Sequence, residues 1–343
     1  MKILICCSEL PPISGGAQQA AWETAKRLFK YPNLEVQIMT FGDSDSETYK
    51  EGIKIHNIPR VKFSTIYYSI INYSKIKIIL EKEKFDLIHS HMTLPWIYIF
   101  RNFKGKKIVT CHGNDVYQTK WYEYYFTFQG LKKFNIITTV SDYFVKLLKE
   151  KWKLNSIKIV NGIDLDIFFP KNISKEKKSI LFVGRYIPMK GIKNLLIVAN
   201  ELKDFHFYFV GEGELNSSIN GSNITNLGFK NKEDLPEIYS KSFISIFPSE
   251  HESFGLTALE SIACGTPVIV TPRGFSEFIT HKKNGIIIDS NEPYKIKEAI
   301  IKLSNNPELI NRLSKEGLKT SEKLSWDKIT NEYYNLYQKI LVY

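Results

Sequence analysis

The sequence contains many short, continuous apolar runs. They recur along the whole sequence, separated by polar segments long enough for a helix. The runs cover residues 2–7, 36–40, 85–89, 108–111, 136–140, 157–160, 180–183, 205–210, 244–247, 268–270 and 286–288. A run that is apolar at every position is typical of a strand covered on both faces of a parallel sheet. The pattern therefore predicts the α/β class with doubly wound sheets.

The length of the chain predicts two domains. A chain of 343 residues exceeds the roughly 250–300 residues at which a single core stops growing. The turn sequence Asn-Gly-Ile-Asp at 161–164 precedes a polar stretch at 171–178, which is typical of a boundary. We predict a Rossmann-like N-terminal domain over 1–165 and a second over 166–325. Residues 326–343 are predicted to form an amphipathic helix, with a return to the N-terminal domain as a hypothesis.

Composition excludes several classes of protein. With 43% hydrophobic and 24% charged residues, neither a disordered nor a fibrous chain is expected. No apolar run approaches the ~18 residues of a spanning helix, and the N-terminus runs into a strand pattern without the features of a signal peptide. Cys6, Cys7, Cys111 and Cys264 show no CxxC spacing, so we expect buried thiols rather than disulfides or a zinc site. We expect a cytoplasmic protein.

The positive charge is concentrated in the first half of the chain. Residues 1–160 contain 24 basic and 14 acidic side chains, a balance of +10 within a total of +11. Such a field attracts anionic lipid, nucleic acid or a phosphorylated substrate, unless it is simply a solvated lysine-rich surface. Segments 61–84 and 120–133 interleave lysines with aromatic and aliphatic residues, which favours peripheral contact with an anionic membrane. Packing of the same apolar positions inside the domain is the alternative.

Two strand-to-helix connections contain residues suited to phosphate. Gly15 and Gly16 follow the first strand and open the first helix, where a backbone without Cβ atoms lets an anion reach the helix N-terminus. Arg185 and Lys190 follow the run 180–183, and two cations on one loop suit a diphosphate. Ordinary turns and solvated cations are the alternative interpretations.

The segment 248–268 is the strongest candidate for a binding site. A loop carries Glu252, the small and polar residues 253–255 leave the next helix open at its start, and that helix carries Glu260. Glu260 is suited to accept hydrogen bonds from a ribose. Eight helical residues span about 12 Å, whereas paired glycosidase carboxylates lie roughly 5–9.5 Å apart. We therefore expect Glu252 and Glu260 to make two separate contacts along one extended ligand, rather than to flank a single bond that is cleaved.

His112 follows the strand at 108–111. An imidazole at the carboxyl end of such a strand points into the crevice where α/β proteins bind ligands, although a core histidine is the alternative. The acidic pairs Asp43/Asp45 and Asp164/Asp166 are interpreted as turn residues, and no Cys/His spacing indicates a metal. We therefore expect no metal site.

In combination, these motifs are recognisable. They comprise residues 11–16 (Pro-Pro-x-x-Gly-Gly), Thr110-x-His112-Gly113-x-Asp115, Val140-Ser141, Asn-Gly-Ile-Asp at 161–164, Gly184-Arg185 with Lys190, Gly211-Glu212-Gly213, Glu252-x7-Glu260 before Gly265-Thr266-Pro267-Val268, Gly274-x-x-Glu277 and Asn284-Gly285. In this order they resemble the family-4 retaining glycosyltransferases of the GT-B fold, in which two Rossmann-like domains face each other across a cleft. Gln18 departs from the acidic residue that many relatives carry there, which puts an acceptor role of the first helix in doubt.

The resemblance implies a nucleotide-sugar donor, a glycan or lipid-linked acceptor, and no cofactor or metal. The implied donor-binding residues are Gly15, Gly16, Arg185, Lys190, Gly228, Phe229, Glu252, Ser253, Phe254, Gly255, Leu256 and Glu260. Those implied in catalysis are His112, Arg185, Lys190 and Glu252. Arg185 and Lys190 would hold the diphosphate, Glu260 the ribose, Glu252 and His112 the sugar, and residues 228–230 the base.

Other functions remain open at this point. Sugar-nucleotide epimerases and phosphorylases share the GT-B architecture. A nucleic-acid-binding protein is not expected, because the basic residues are scattered and no RNA-binding motif accompanies them. A catalytically inactive nucleotide-sugar sensor should lack Lys190, His112 or Glu252, and all three are present.

Overall fold

The computed structural model describes residues 1–11, 15–59, 65–94, 96–113, 116 and 121–342. Side chains are described throughout these ranges except at 65–71, 97–98, 101 and 121–123. The chain divides into two compact units. Unit 1 contains Met1–Asn161 and Trp326–Tyr343, and unit 2 contains Gly162–Ser325.

Strands and helices alternate along most of the chain. The strands are β1 (Lys2–Cys6), β2 (Glu35–Gly42), β3 (Ser46–Lys50), β4 (Ile53–Pro59), β5 (Leu87–Ser90), β6 (Lys106–Cys111), β7 (Ile136–Thr139), β8 (Ile157–Lys158), β9 (Ser179–Val183), β10 (His206–Val210), β11 (Ile224–Asn226), β12 (Ile244–Phe247), β13 (Val268–Val270) and β14 (Ile286–Ile287). The helices are α1 (Gly16–Leu28), α2 (Thr65–Glu83), α3 (Trp96–Ile99), α4 (Trp121–Leu131), α5 (Asp142–Trp152), α6 (Ile192–Glu201), α7 (Leu235–Lys241), α8 (Leu256–Ala263), α9 (Pro293–Ser304), α10 (Pro307–Lys323) and α11 (Trp326–Val342).

Unit 1 contains an eight-stranded sheet in the order β3-β4-β2-β1-β5-β6-β7-β8. Its strand pairs are parallel except for the antiparallel edge pair β3–β4. The carboxyl ends of β5 and β6 are therefore neighbours, and they position the histidines that follow these strands.

Helix α11 packs its aromatic face on unit 1. Tyr333 and Tyr337 are buried, and the hydroxyl of Tyr337 lies 2.5 Å from Nδ1 of His89 on β5. Thr110 on β6 lies 2.7 Å from the other ring nitrogen of His89. This buried polar chain ties the last helix of the sequence to two central strands.

Unit 2 contains a six-stranded sheet in the order β11-β10-β9-β12-β13-β14, with every pair parallel. Strand β9 is buried along its full length, because helices cover both faces of such a sheet. β9 and β12 are direct neighbours, with Ile180 opposite Ile244. The connections that follow these two strands therefore emerge side by side.

Two global features accompany the fold. The four cysteines are buried as thiols, as the sequence predicted. No helix in the described part of the chain has the length and apolar character needed to cross a membrane.

Candidate active site

Two strand-to-helix connections pack tightly together in unit 2. The connection after β9 contains a single 3-10 turn, Pro188–Lys190, and the N–H of Glu250, after β12, donates to the carbonyl of Met189 at 2.9 Å. Gly191 has a φ of 72°, and a Cβ there would lie 2.1 Å from the carbonyl oxygen of Pro248. Only glycine allows this conformation and approach, so Gly191 holds the Lys190 turn against the second connection.

This packing brings Lys190 and Glu252 into contact. The ammonium of Lys190 donates to Oε2 of Glu252 at 2.5 Å, and the N–H of Ser253 donates to Oε1 at 3.1 Å. The two side chains are 17% and 18% exposed, so both are largely covered but still reach solvent. A cation and a carboxylate predicted separately from the sequence thus lie in one site.

The N-terminus of α8 is open beside this pair. Its first-turn N–H groups meet no capping side chain and no acidic residue, since Gly255 occupies the N-cap with a φ of 96°. A Cβ at Gly255 would lie 2.3 Å from the ring of Phe275, so the close packing requires glycine. The N–H of Ala258 donates to the carbonyl of Gly255 at 3.1 Å, so the N–H groups of Leu256 and Thr257, with the helix dipole, favour an anion here.

The side chains around this helix start differ in exposure. Phe254 is buried, with its ring 5.0 Å from that of Phe278, so only its backbone is available to a ligand. Ser253 and Leu256 are half-buried. Residues 253–256 can therefore contact a ligand mainly through their backbone N–H groups and less through their side chains.

Glu260 is a buried carboxyl on the same helix. The hydroxyl of Tyr239 donates to its Oε2 at 3.0 Å, and burial raises the pKa of Glu260 to about 7. The positive charge of Lys232 acts to lower the pKa of Glu260. The Nζ of Lys232 lies 3.8 Å from Oδ2 of Asp164. Glu260 is an acceptor that ionises near neutral pH.

Glu260→Gln should stabilise the ligand-free protein much more at pH 8 than at pH 5. The folded carboxyl keeps its proton up to a pKa of about 7, against an ordinary value of 4.5, so its ionisation penalises the folded state as pH rises through this window. At 1.36 kcal/mol per pKa unit the gain should reach about 1–3 kcal/mol. All five tryptophans lie outside unit 2, so urea unfolding is followed by circular dichroism. Equal stability differences at the two pH values would contradict the shifted pKa.

Arg185, Gly228 and Phe229 are the remaining candidate residues of unit 2. Arg185 is exposed, and the Phe229 ring is 52% exposed. Gly228 has a φ of 67°, and a Cβ there would meet nothing within 4 Å. The N–H of Gly228 donates to the side chain of Asn226 at 2.9 Å. An exposed aromatic ring next to open backbone is a surface on which a planar base can lie.

The unit 1 candidates follow β1 and β6. Gly15 is the N-cap of α1, whose first turn has no acidic residue and receives no side-chain cap from the described residues, while Gln18 donates to the hydroxyl of Ser8 at 2.8 Å. His112 is half-buried, and burial lowers its pKa to about 3. Its Nε2 lies 3.2 Å from Nδ1 of His91. Pro12 and Asp115 of the predicted motifs lie outside the described residues.

Among the described residues, one group has the geometry to hold a metal ion: Glu47, His56 and Glu83 in unit 1. Lys54 lies 3.0 Å from Glu47 and 2.8 Å from Glu83, and Lys2 lies 2.6 Å from Glu83. Lysines therefore already neutralise these carboxylates, and neither Asp43 nor Asp164 belongs to the group.

Sequence reasoning missed Gly191, Tyr239 and His91. A glycine directly after Lys190 was a usable signal, because positive-φ glycine commonly begins or ends a helix. Tyr239 had no signal, since it lies 21 residues from Glu260. His91 stood in the sequence His-Ser-His at 89–91, but nothing there indicated which histidine meets His112.

The fold and these connections define a class, the two-unit α/β enzymes of the GT-B architecture. Residues 14–167 match the model of glycosyltransferase family 4, and residues 164–320 match that of glycosyl transferases group 1. An uncharacterized glycosyltransferase of Methanocaldococcus jannaschii is 33% identical over 356 residues, covering 99% of each chain.

Solved structures show the same fold. Sucrose-phosphate synthase from Thermosynechococcus elongatus superposes with a TM-score of 0.85 at 19% identity, covering 99% of each chain. The Anabaena protein HepE, in complex with UDP and glucose, superposes with a TM-score of 0.81 at 16% identity, covering 98% of this chain and 99% of that one. The chain belongs to the family-4 glycosyltransferases with the GT-B fold, which confirms the resemblance carried by its motifs.

Proposed function

We propose that this glycosyltransferase moves a sugar from a nucleotide-sugar to a glycan or lipid-linked acceptor, with retention of configuration and without a metal. The observation that carries the proposal is the Lys190 ammonium, held 2.5 Å from Glu252 beside the open N-terminus of α8. The complex of HepE with UDP and glucose supports a donor of this class.

In this proposal the diphosphate is the anion at the start of α8. Lys190 supplies a point charge, Arg185 a planar fork, and α8 its free N–H groups. The charge on the diphosphate grows as the sugar leaves, so cations fixed beforehand stabilise the transition state more than the bound donor.

Glu252 is proposed to hold the sugar. A carboxylate has about four lone-pair sites, and Lys190 and Ser253 occupy two of those on Glu252. The remaining sites can accept hydrogen bonds from sugar hydroxyls.

Glu260 and residues 228–230 are proposed to hold the nucleoside. Glu260 accepts from the ribose, and the base lies against Gly228 and Phe229. Because Glu260 also accepts from Tyr239 at 3.0 Å, its orientation is set before a ligand arrives.

For retention, the acceptor hydroxyl attacks from the face that the diphosphate leaves, and a leaving phosphate oxygen takes its proton. The bond from the anomeric carbon to the phosphate oxygen breaks as the bond to the acceptor oxygen forms. NMR of the product should show the anomeric configuration of the donor, and inversion would contradict the proposal. Incubation with donor alone should give neither an epimerised sugar nor a sugar phosphate, which are the products of the rival activities.

Transfer should persist in excess EDTA. The cations for the diphosphate are Lys190 and Arg185, so chelation removes nothing that the leaving group needs. Initial rates are compared in EDTA, in Mg²⁺ and in Mn²⁺. Activity that is lost on chelation and returns with Mn²⁺ would contradict metal independence and direct attention to Glu47, His56 and Glu83.

We also propose that unit 1 docks on anionic membrane. Residues 1–160 carry a net charge of +10. The structure describes part of the two lysine-rich and aromatic segments, 61–84 and 120–133. Residues 61–64 and 120, and the side chains of 65–71 and 121–123, lie outside the described residues. In the described part, Ile78 is 63% and Tyr125 52% exposed, and Lys132 lies 4.0 Å from the ring centre of Phe128. Exposed apolar side chains beside lysines are what an interfacial surface requires.

The protein should float with vesicles that contain anionic lipid, and the fraction that floats should fall as the salt concentration rises. Each lysine near the surface contributes about 1 kcal/mol, screened over a Debye length of about 10 Å at 0.1 M salt. Tyr125→Ser should weaken flotation, whereas Tyr49→Ser, at a tyrosine that is 70% exposed on β3, should not. Absence of flotation on anionic vesicles at low salt would contradict membrane docking.

A further inference from the structure

Gly228 is held through both of its backbone polar groups. Its N–H donates to Oδ1 of Asn226 at 2.9 Å, and its carbonyl accepts from the N–H of Gly211 at 3.0 Å. A Cβ at Gly211 would lie 2.0 Å from the carbonyl oxygen of Gly184, which directly follows β9. Only glycine allows this approach, so the turn at Gly228 lies against the start of the connection after β9.

Asn226 is the last residue of β11, at the edge of the sheet, and its side-chain amide makes three hydrogen bonds. Oδ1 accepts from Gly228 and also from the hydroxyl of Tyr186 at 3.1 Å. Nδ2 donates to Oδ1 of Asn216 at 3.1 Å. A backbone N–H can only donate, so the bond from Gly228 identifies which atom of the amide is the oxygen. The orientation of the amide therefore follows from its partners.

Tyr186 connects Asn226 to the connection that contains Arg185. Its side chain is 0% exposed, and burial raises its pKa, so the hydroxyl keeps its proton and donates to Asn226. Its backbone N–H donates to the carbonyl of Glu212 at 2.8 Å. Both the ring and the main chain of Tyr186 are therefore fixed, directly after the arginine that is proposed to meet the diphosphate.

Packing does not hold Gly228 in its conformation, since it has a φ of 67° and a Cβ there would meet nothing within 4 Å. Phe229 follows with a ring that is 52% exposed, and its backbone N–H and carbonyl have no hydrogen-bond partner among the described residues. Glycine is conformationally permissive, and a site that is ordered beforehand loses less freedom when it binds. The hydrogen bonds of Gly228 therefore supply the order that packing does not.

We propose that Asn226 is a positioning residue for the nucleobase, which holds the Gly228–Phe229 turn in the conformation that receives the base and, through Tyr186, at a fixed place relative to Arg185. This rests on the proposed function, in which the base lies against the turn and the diphosphate meets Arg185. One hydrogen-bond chain then connects the parts of unit 2 that bind the two halves of the nucleotide. Asn226 acts on the base through the turn and not on the phosphates.

The test compares a ligand with a base and a ligand without one. Calorimetric titration of the full chain with UDP, GDP and ADP gives the dissociation constant of the nucleoside diphosphate that binds, and displacement of that ligand gives the constant for inorganic pyrophosphate. In Asn226→Ala the first constant should rise about 10-fold, which corresponds to 1.4 kcal/mol and is the scale of a lost hydrogen bond. The constant for pyrophosphate should change by less than about twofold, well under the 1.4 kcal/mol of a tenfold change.

Three further variants separate the bonds of the amide. Asn226→Asp keeps an oxygen for Gly228 and Tyr186, so the ratio of the two dissociation constants should stay near that of the wild-type protein, even where the added charge weakens both ligands. Asn216→Ala removes only the partner of Nδ2 and should bind as the wild-type protein does. Tyr186→Phe should weaken the nucleoside diphosphate about threefold, and should have no further effect when combined with Asn226→Ala.

Circular dichroism and melting temperatures show that folded proteins are compared. An unchanged constant in Asn226→Ala, an equal loss for pyrophosphate, or no rescue of the ratio in Asn226→Asp would overturn the positioning role and leave the proposed donor intact. A wild-type protein that binds none of the three nucleoside diphosphates would instead contradict the proposed donor, and the base site with it. If Asn226→Ala does not fold, Tyr186→Phe, which removes one oxygen atom, decides: an unchanged constant there would overturn the role.

Discussion

Lys190→Ala should lower the rate of sugar transfer by about 10²-fold or more, the scale of losing one electrostatic partner of a transition state. The ammonium is held against Glu252 on a turn fixed by Gly191, so the charge that is removed has a fixed position in the site. The rate is measured as release of nucleoside diphosphate at saturating donor.

The control is Lys193→Ala, at an exposed lysine in the first turn of α6. It removes a positive charge three residues after Lys190, outside the turn that contacts Glu252, and should retain activity. The melting temperature of each variant shows that the rates compare folded proteins. Full activity in Lys190→Ala would remove this residue from the site.

Glu252→Gln should lower kcat/KM for the donor by about 10–100-fold. Hydrogen bonds to a charged group are worth about 1.5–3 kcal/mol, and 1.4 kcal/mol corresponds to a factor of ten. The variant loses the charge that orients Lys190 as well as the acceptor proposed for the sugar. In the double variant with Lys190→Ala, the loss in kcat/KM should therefore be smaller than the product of the two single losses, as expected for residues in contact.

Glu250→Gln is the matched control for Glu252→Gln. Glu250 is exposed, and its carboxylate makes a long 3.4 Å contact with Asn291. Its part in packing the two connections comes from its backbone N–H, which the substitution leaves intact. A loss as large as that in Glu252→Gln would show that charge near this loop, rather than the position of Glu252, controls the reaction.

Most strands could be predicted from the sequence, whereas β3, β4 and β11 could not. Every continuous apolar run contains a strand, and burial on both faces leaves that pattern in most of them, although β8 at one edge is exposed. Strand β3 at one edge is largely exposed and polar, β4 beside it mixes apolar and polar positions, and β11 has three residues. Such strands are held by pairing with a neighbour, and hydrophobic pattern alone does not mark them.

The residues of the site were predicted better than their contacts. Lys190 and Glu252 were each singled out, but their contact joins positions 62 residues apart. It depends on the adjacency of β9 and β12 and on the conformation of Gly191, which only the folded sheet establishes. The same holds for the Tyr239–Glu260 bond and for the orientation of His91 toward His112.

Unit 2 should bind a nucleoside diphosphate at Lys190, Glu252 and the start of α8. Thermal unfolding of the wild-type protein and of Lys190→Ala, each with UDP, GDP and ADP, measures this binding. At 100 times its dissociation constant a ligand stabilises the folded state by about 2.7 kcal/mol. We predict that one of the three raises the melting temperature of the wild-type protein, with a much smaller shift in Lys190→Ala. An unchanged melting temperature with all three, or equal shifts in both proteins, would contradict the account.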